Sequence, residues 1–430
     1  MCTGPAARDG AVTLLVRATT DLSHRDGVDA QAALLQSLST LLVWQPALYL
    51  TTLGALSRLL PRPQALLSID ATRDEFTAKE GAHLLLAEVL ARHKDAAPVV
   101  SRACRVAAAA ASRCEDGKVA LVKAGAAAAL LDALRAHGDD AGVSAHACTA
   151  LAALATPDDR RIAASSAFTH GRHLHSMDAH VAILAALQRH ADSPRAVAAA
   201  CHAVRAVAVN DEACEAMAAA GIVETGVQLL TRELLSGTAP TVVLRPALLM
   251  LRQLAGSDVV KLRYVSAGGL PPLLGILSAS CALSAAATCE QALALCTALS
   301  LRQPDIVAAA AAAGAVDAVL DAMAAHPKSA GIQRAAAMFV RNCAARNPDV
   351  RPALLERGAD ALLRAAKKAH PGACADVGSA ALRDLGAENY NEGWTPTTVY
   401  MGASGELYTY DELGGDDEDD GGMAAIKEED

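Results

Sequence analysis

The residues that could do chemistry are few. His170, His173 and His175 stand at H-x-x-H-x-H spacing, with His180 close behind and Phe168 and Met177 beside them. Neutral imidazoles so spaced are candidate ligands for Zn²⁺, Cu²⁺ or Ni²⁺. The cluster contains no Cys, Asp178 is its one carboxylate, and the spacing fits no zinc module. It therefore reads first as a polar, partly exposed loop or short helix, second as a partner-contact loop, and only third as a metal-handling site. Two amides, Asn342 and the weaker Gln253, could hold the backbone of an extended peptide. Trp394 lies with Tyr390, Tyr400, Tyr408 and Tyr410 beside the acidic run 416–420. No G-x-S-x-G, P-loop or H-E-x-x-H motif occurs, so no enzyme class, metal site or cofactor is indicated.

Any such residue must be positioned by the elements around it, and those elements repeat. A short segment ending in Gly, followed by an apolar segment ending in His, recurs at Gly81, Gly125, Gly221, Gly268, Gly314 and Gly358, with Asp178 replacing the Gly once. Successive marks are 44, 53, 43, 47, 46 and 44 residues apart. Five, six and nine residues after a mark the chain is apolar, as at Leu130, Leu131 and Leu134, or Ile183, Leu184 and Leu187. That is one helical stripe. A further helix follows in each unit, for example 143–155, 196–207 and 332–345. Three helices in about 42–47 residues is the armadillo plan, whereas HEAT units have two. Gly at the mark permits a sharp helix-to-helix corner. Pro and Asp in Thr156-Pro-Asp, Gln303-Pro-Asp and Asn347-Pro-Asp open the next short helix.

Two departures from the repeat are informative. Twelve residues after the mark stand His93, His137, His190, His326 and His370, in five of seven units. A His at a helix C-terminus is expected to bond that helix's free carbonyls and to interact favourably with its dipole. In the last unit the stripe positions are Arg364 and Lys367, as expected of an end repeat that needs a polar outer face. The array should end near Gly386.

Several stretches resemble the armadillo repeat-containing protein 6 family: Cys289-Glu-Gln, Ser300-Leu-Arg-Gln-Pro-Asp305, Met323-Ala-Ala-His-Pro-Lys-Ser-Ala-Gly331, Val340-Arg-Asn342 and Asp376-Val-Gly-Ser-Ala-Ala-Leu-Arg-Asp-Leu-Gly386. Asp158-Asp-Arg-Arg-Ile, the His-rich 168–175, Val122-Lys-Ala-Gly125 and Val265-Ser-Ala-Gly-Gly269 fit the same family. The resemblance covers most of residues 10–386, and familiar members carry more chain at the N-terminus. It implies a soluble, non-enzymatic armadillo solenoid. Armadillo proteins that read extended peptides use an Asn ladder on the third helix of each unit, with Trp shelves. Here Asn342 and Gln253 are the ladder, Ala109, Ala206 and Ala298 stand elsewhere, and Trp44 and Trp394 lie outside the regular array. Groove binding would have to rely on shape, arginines and apolar patches.

Composition sets the remaining bounds. The chain has 430 residues, 53% hydrophobic and 3% aromatic, which argues against sandwiches and barrels and against disorder of the whole. Of its 47 acids and 38 bases, thirteen acids and one base fall in 387–430, and the other 386 residues carry 34 and 37. The net charge of −9 is thus a tail of −12 on a body of +3. With no long basic run and few aromatic platforms, nucleic acid is not an expected partner. Eleven scattered cysteines, no N-glycosylation sequon and no signal-like N-terminus fit a reducing compartment, the cytoplasm or also the nucleus. Residues 31–57 carry no charge, but Pro46 and several Ser and Thr make two buried helices a better reading than a membrane span.

The sequence thus predicts an all-α, right-handed superhelical solenoid of about eight armadillo-like repeats. Residues 1–80 would be N-terminal helical repeats with an irregular insertion, 81–386 the regular array, and 387–430 an acidic, largely disordered tail. The expected function is a non-enzymatic scaffold binding partner proteins. The alternatives are a peptide-reading transport or chaperone-type adaptor and a His-cluster metal-handling protein. The aromatic-acidic segment 388–412 is expected to dock on a basic concave surface, its own or a partner's.

Overall fold

A computed structural model describes residues 82–92, 94–157, 165–237 and 242–392, together with 399–401 and 407–409. The expectations for 1–80, including the uncharged stretch 31–57 and Trp44, lie outside the described residues, as do His93 and Trp394.

The described chain is an all-α solenoid. It opens on α1 (Ala82–Arg92) and α2 (Ala97–Ala111), the second and third helices of a unit. Six three-helix units follow. They are α3 (Glu115–Lys123), α4 (Ala126–Ala136) and α5 (Ala141–Ala155); α6 (Ala167–Ser176), α7 (Ala179–Arg189) and α8 (Pro194–Val207); and α9 (Asp211–Ala219), α10 (Ile222–Leu235) and α11 (Leu244–Leu254). Next come α12 (Asp258–Ser266), α13 (Leu270–Ala282) and α14 (Ala286–Ser300), then α15 (Pro304–Ala312), α16 (Ala315–Ala325) and α17 (Ala330–Arg346). The last unit is α18 (Arg351–Glu356), entered through a 3₁₀ turn at Pro348–Val350, with α19 (Ala359–Ala369) and α20 (Pro371–Leu385). Third helices stack on third helices and second on second, so each unit packs mainly on its neighbours.

The marks do what their residue types allow. Gly125, Gly221, Gly268, Gly314 and Gly358 have φ between 75° and 99°, and Asp178 takes φ 57°. An αL residue ends one helix and lets the next leave at a sharp angle, giving corners of 71°, 87° and 77° in the units that begin at Asp211, Asp258 and Pro304. Asp is among the few non-Gly residues that tolerate this region. The stripe then faces inward: Leu130, Leu131, Leu134, Ile183, Leu184, Leu187, Leu273, Leu274, Leu277, Val319, Leu320 and Met323 are all buried. Asp140, Asn210 and Ser329 cap the helices they precede by accepting backbone N–H bonds.

Two buried lysines close their units. Lys118 of α3 donates to the Thr156 carbonyl at 2.8 Å, and Lys261 of α12 donates to the Leu301 carbonyl at 2.9 Å and to Asp258 at 2.7 Å. Each binds the residue that ends its own unit's third helix, where carbonyls lack intrahelical partners. No single described helix is long and apolar enough to cross a membrane.

The recurrent His does not serve its own helix, contrary to the sequence expectation. His190 Nε2 donates to the Gly138 carbonyl at 2.7 Å, His370 Nε2 donates to Pro327 at 2.8 Å, and His137 Nε2 donates to Lys94. A carbonyl only accepts, so the proton must sit on Nε2. The carbonyl is each time the one just past the corresponding position of the preceding unit. Arg232 takes the same role, donating to Ala191 at 2.6 Å. Reaching back is favoured because the loop carbonyls of the preceding unit lie beside the side chain and are otherwise left to water.

The end of the array also differs from expectation. Arg364 and Lys367 do not form a solvated outer face. Lys367 donates to the Tyr390 and Glu392 carbonyls at 2.6 and 3.0 Å, and Arg364 to those of Glu388 and Asn389 at 2.6 and 3.2 Å. Ala387 and Tyr390 pack against the core. Gly386 ends α20 at φ 82°, turning the chain back over the last unit. The first residues of the tail thus cover the array end mainly through backbone carbonyls, with the Glu392 carboxylate also 3.8 Å from Arg364. Farther on, β1 (Val399–Met401) pairs antiparallel with β2 (Leu407–Thr409), Tyr400 opposite Tyr408. β-branched and aromatic residues across a Gly-Ala-Ser-Gly stretch favour a hairpin.

Candidate functional site

The third helices α5, α8 and α11 present one face to a shared groove of about 980 Å³. Successive turns of each helix contribute to it: Thr149, Ala152 and Ala153 from α5; His202, Arg205 and Ala206 from α8; Leu249, Arg252 and Gln253 from α11. Small residues on α5 leave room, and the longer residues of α8 and α11 supply polarity. Arg113 enters from the turn after α2, and Phe168, half exposed, stands on the rim at the start of α6. Ser166, just before that helix, donates to Glu115 of the preceding unit through its hydroxyl at 2.6 Å. That bond anchors the rim. Among the described residues, three arginines and no carboxylate line the groove. Arg252 donates to Gln291 of α14 at 3.3 Å.

A polar rung links α2, α5 and α8. Arg195 of α8 donates to His146 Nε2 at 2.7 Å, and His146 Nδ1 meets Ser101 Oγ of α2 at 2.7 Å. With Nε2 accepting, the single proton of a neutral ring sits on Nδ1 and donates to Ser101. Burial, then the Arg195 and Arg105 charges, hold His146 down at about 4, against an opposing pull from Asp140. Burial and Arg205 also lower His202. Both imidazoles are therefore neutral at pH 7, and the arginines carry the groove's charge.

The two ladder amides make inter-unit bonds. Gln253 Nε2 donates to the Ala208 carbonyl at 2.9 Å while the residue lines the groove. Asn342 Nδ2 donates to the Thr297 carbonyl at 3.2 Å and to Ser300 Oγ at 3.1 Å, farther along the array. Each ties its third helix to the preceding one.

The His cluster is dispersed. His170 is buried and bonds the Leu154 carbonyl through Nδ1 at 3.0 Å, so it faces the core. It occupies the same place in its helix as Lys118 and Lys261 in theirs. His173 is exposed on another face. His175 lies against His180, ring centroids 5.0 Å apart. Burial and then His175 lower His180, against Asp178. These imidazoles do not converge: among the described residues, the one group of three or more ligand atoms close enough to share a metal is Cys281, Cys289 and His326. Sequence reasoning missed that group; it named arginines as groove-binding groups without assigning Arg113, Arg205 or Arg252. Arg205 and Arg252 each stand one residue before a ladder position, which was the available signal.

No family model matches the chain, and no curated protein matches it. Among solved structures, a crystal structure of an engineered protein superposes with a TM-score of 0.63 at 20% identity, covering 89% of this chain and 92% of that one. Two further engineered or designed chains align less closely. One is an engineered protein at TM-score 0.41 and 20% identity, covering 73% of this chain and 97% of that one. The other is a designed armadillo repeat protein at TM-score 0.44 and 18% identity, covering 70% and 99%. At these identities the first likeness is one of fold.

Proposed function

We propose that the chain is a non-enzymatic protein-interaction scaffold that holds an extended, acidic segment of a partner protein in the α5–α8–α11 groove. The observation that carries this reading is the groove itself: about 980 Å³, with three arginines and, among the described residues, no carboxylate in its lining. Arg forks match carboxylates bidentately, and Phe168 offers an apolar contact at the rim. With Gln253 and Asn342 engaged in inter-unit bonds, an amide ladder supports the peptide-reading adaptor less well. The resemblance to the armadillo repeat-containing protein 6 family rests on the quoted stretches alone. Ten free cysteines among the described residues support a reducing compartment, the cytoplasm or nucleus. The chain's own acidic run 416–420 is one source of such a segment, and a partner is the other.

Fluorescence anisotropy with a labelled Asp/Glu-rich peptide and a Lys-rich control tests the reading. Reversing Arg205 and Arg252 to Glu should weaken the acidic peptide by at least about tenfold, which is ~1.4 kcal/mol. Rising salt should weaken it as well. Truncation at 410 should tighten binding if the chain's own tail competes. Equal binding of both peptides, or an unaffected double variant, would overturn the proposal.

A further inference from the structure

Among the described units the backward-reaching side chain is lost twice: the unit built on α13 has Ser280 in place of the His, and in the next unit His326 makes no such bond, where two thiols stand. Where the preceding second helix has 11 residues, the next unit reaches its loop carbonyl: His137 past α1, His190 past α4, Arg232 past α7 and His370 past α16. Helix α13 has 13 residues. The turn that would receive His326 is therefore displaced. His326 Nε2 is buried and makes no hydrogen bond in the protein.

The turn after α13 brings the thiols together. Ser284 takes φ 54°, with Ala285 N–H bonded to the Ser280 carbonyl at 2.8 Å and Ser284 N–H to Cys281 at 3.1 Å. This is a Schellman closure, which folds the start of α14 back over the end of α13. Cys281 Sγ and Cys289 Sγ are 3.8 Å apart, and one ligand atom from each of Cys281, Cys289 and His326 lies within 4.8 Å of the others. Cys289 is fully buried, whereas Cys281 and His326 are half-buried, so an ion has a path inward. Gln333 donates to the Met323 and His326 carbonyls at 2.8 and 3.1 Å and fixes the imidazole's backbone.

We propose that Cys281, Cys289 and His326 bind one thiophilic d¹⁰ metal ion, Zn²⁺ or Cu⁺, at the junction of the units built on α13 and α16. A tetrahedral Zn²⁺ with Zn–S of about 2.3 Å separates its sulfurs by about 3.8 Å, the spacing observed here. A disulfide, at about 2.05 Å between sulfurs, explains neither that spacing nor the orphaned imidazole. Two thiolates and an imidazole are soft to borderline donors suited to either ion. They leave Zn²⁺ a fourth position for water and complete a trigonal set for Cu⁺. On binding, each thiol gives its proton to solvent and its sulfur lone pair to the metal, with no redox change. Because both thiols must lose a proton to bind, affinity rises with pH.

The test uses the full chain, reduced and stripped of metal. Co²⁺, as a spectroscopic stand-in for Zn²⁺, should titrate to one equivalent with a thiolate-to-metal charge-transfer band that Zn²⁺ abolishes. A parallel anaerobic titration with Cu⁺ against a chromogenic chelator decides between the ions. Cys281→Ser and His326→Gln, both at half-buried positions, should lose the equivalent and the metal-dependent rise in Tm. Cys374→Ser should keep both. Binding by neither ion, or an equivalent retained in the Cys281→Ser/His326→Gln double variant, overturns the proposal.

Discussion

Acid should loosen the solenoid through His146, and the magnitude follows from its rung. In the folded chain His146 is held at about 4, below its ordinary 6.5, by burial and by Arg195 and Arg105. Above pH 6.5 the ring is neutral both folded and unfolded, so it contributes no pH dependence there. Between 6.5 and 4 the unfolded chain takes a proton that the folded rung refuses, and stability falls as the pH falls. Below 4 both states are protonated and the loss is complete. At 1.36 kcal/mol per pH unit the ceiling is ~3 kcal/mol. His146 is part-exposed, and solvent screening cuts this to about 1–2 kcal/mol. Replacing His146 by Gln keeps polar atoms on the rung and removes the titration. Urea denaturation of both proteins at pH 7.5 and 4.5 reads the effect. The parent should lose about 1–2 kcal/mol more than H146Q on acidification. Other carboxylates and imidazoles titrate in both proteins alike and cancel in the difference. An equal acid loss in the two would refute the lowering of His146 by burial and the neighbouring arginines.

Two further perturbations address the joints between units. His190→Ala removes the bond to Gly138 and should cost about 1–2 kcal/mol. Hydrogen exchange should quicken around 138–142 and 190–194 and stay unchanged beyond residue 300, because such arrays couple mainly through neighbours. Lys367→Met removes two charge-assisted bonds to the returning chain and should lower stability by about 1–3 kcal/mol. Proteolysis within 388–392 should rise with it, and a segment that stays protected would show that Arg364 and Tyr390 suffice to hold it.

The fold was legible because each unit repeats a backbone requirement. A residue able to take αL stands at every mark, with the apolar stripe at fixed distances behind it, so Asp178 could be aligned although it is not Gly. What the side chains of the polar positions touch was far less legible. Register put His137, His190 and His370 at helix ends, but it could not say that the acceptor belongs to the preceding unit, some 43 to 52 residues earlier. The H-x-x-H-x-H spacing looked like chemistry, yet on a helix it sends His170 inward and His173 outward. Conversely, Cys281, Cys289 and His326 are spread over two units, and only the displaced turn after α13 makes them neighbours. The returning segment 387–392 was hidden because Arg364 and Lys367 look solvated in sequence and are satisfied by backbone oxygens.

The backward-reaching side chains also act as a gauge of length. Among the described residues a rung forms past the 11-residue second helices and none past the 14-residue α10 or the 13-residue α13. One residue inserted into α4, α7 or α16 would move the loop carbonyl off its partner, while the αL corner and the apolar stripe stayed intact. Recombination between units should therefore respect pairs. The units built on α4 and α7 are exchangeable modules with compatible ends. The units built on α10 and α13 travel only together with the neighbour shaped to receive them, which confines drift in repeat number to the regular parts of the array.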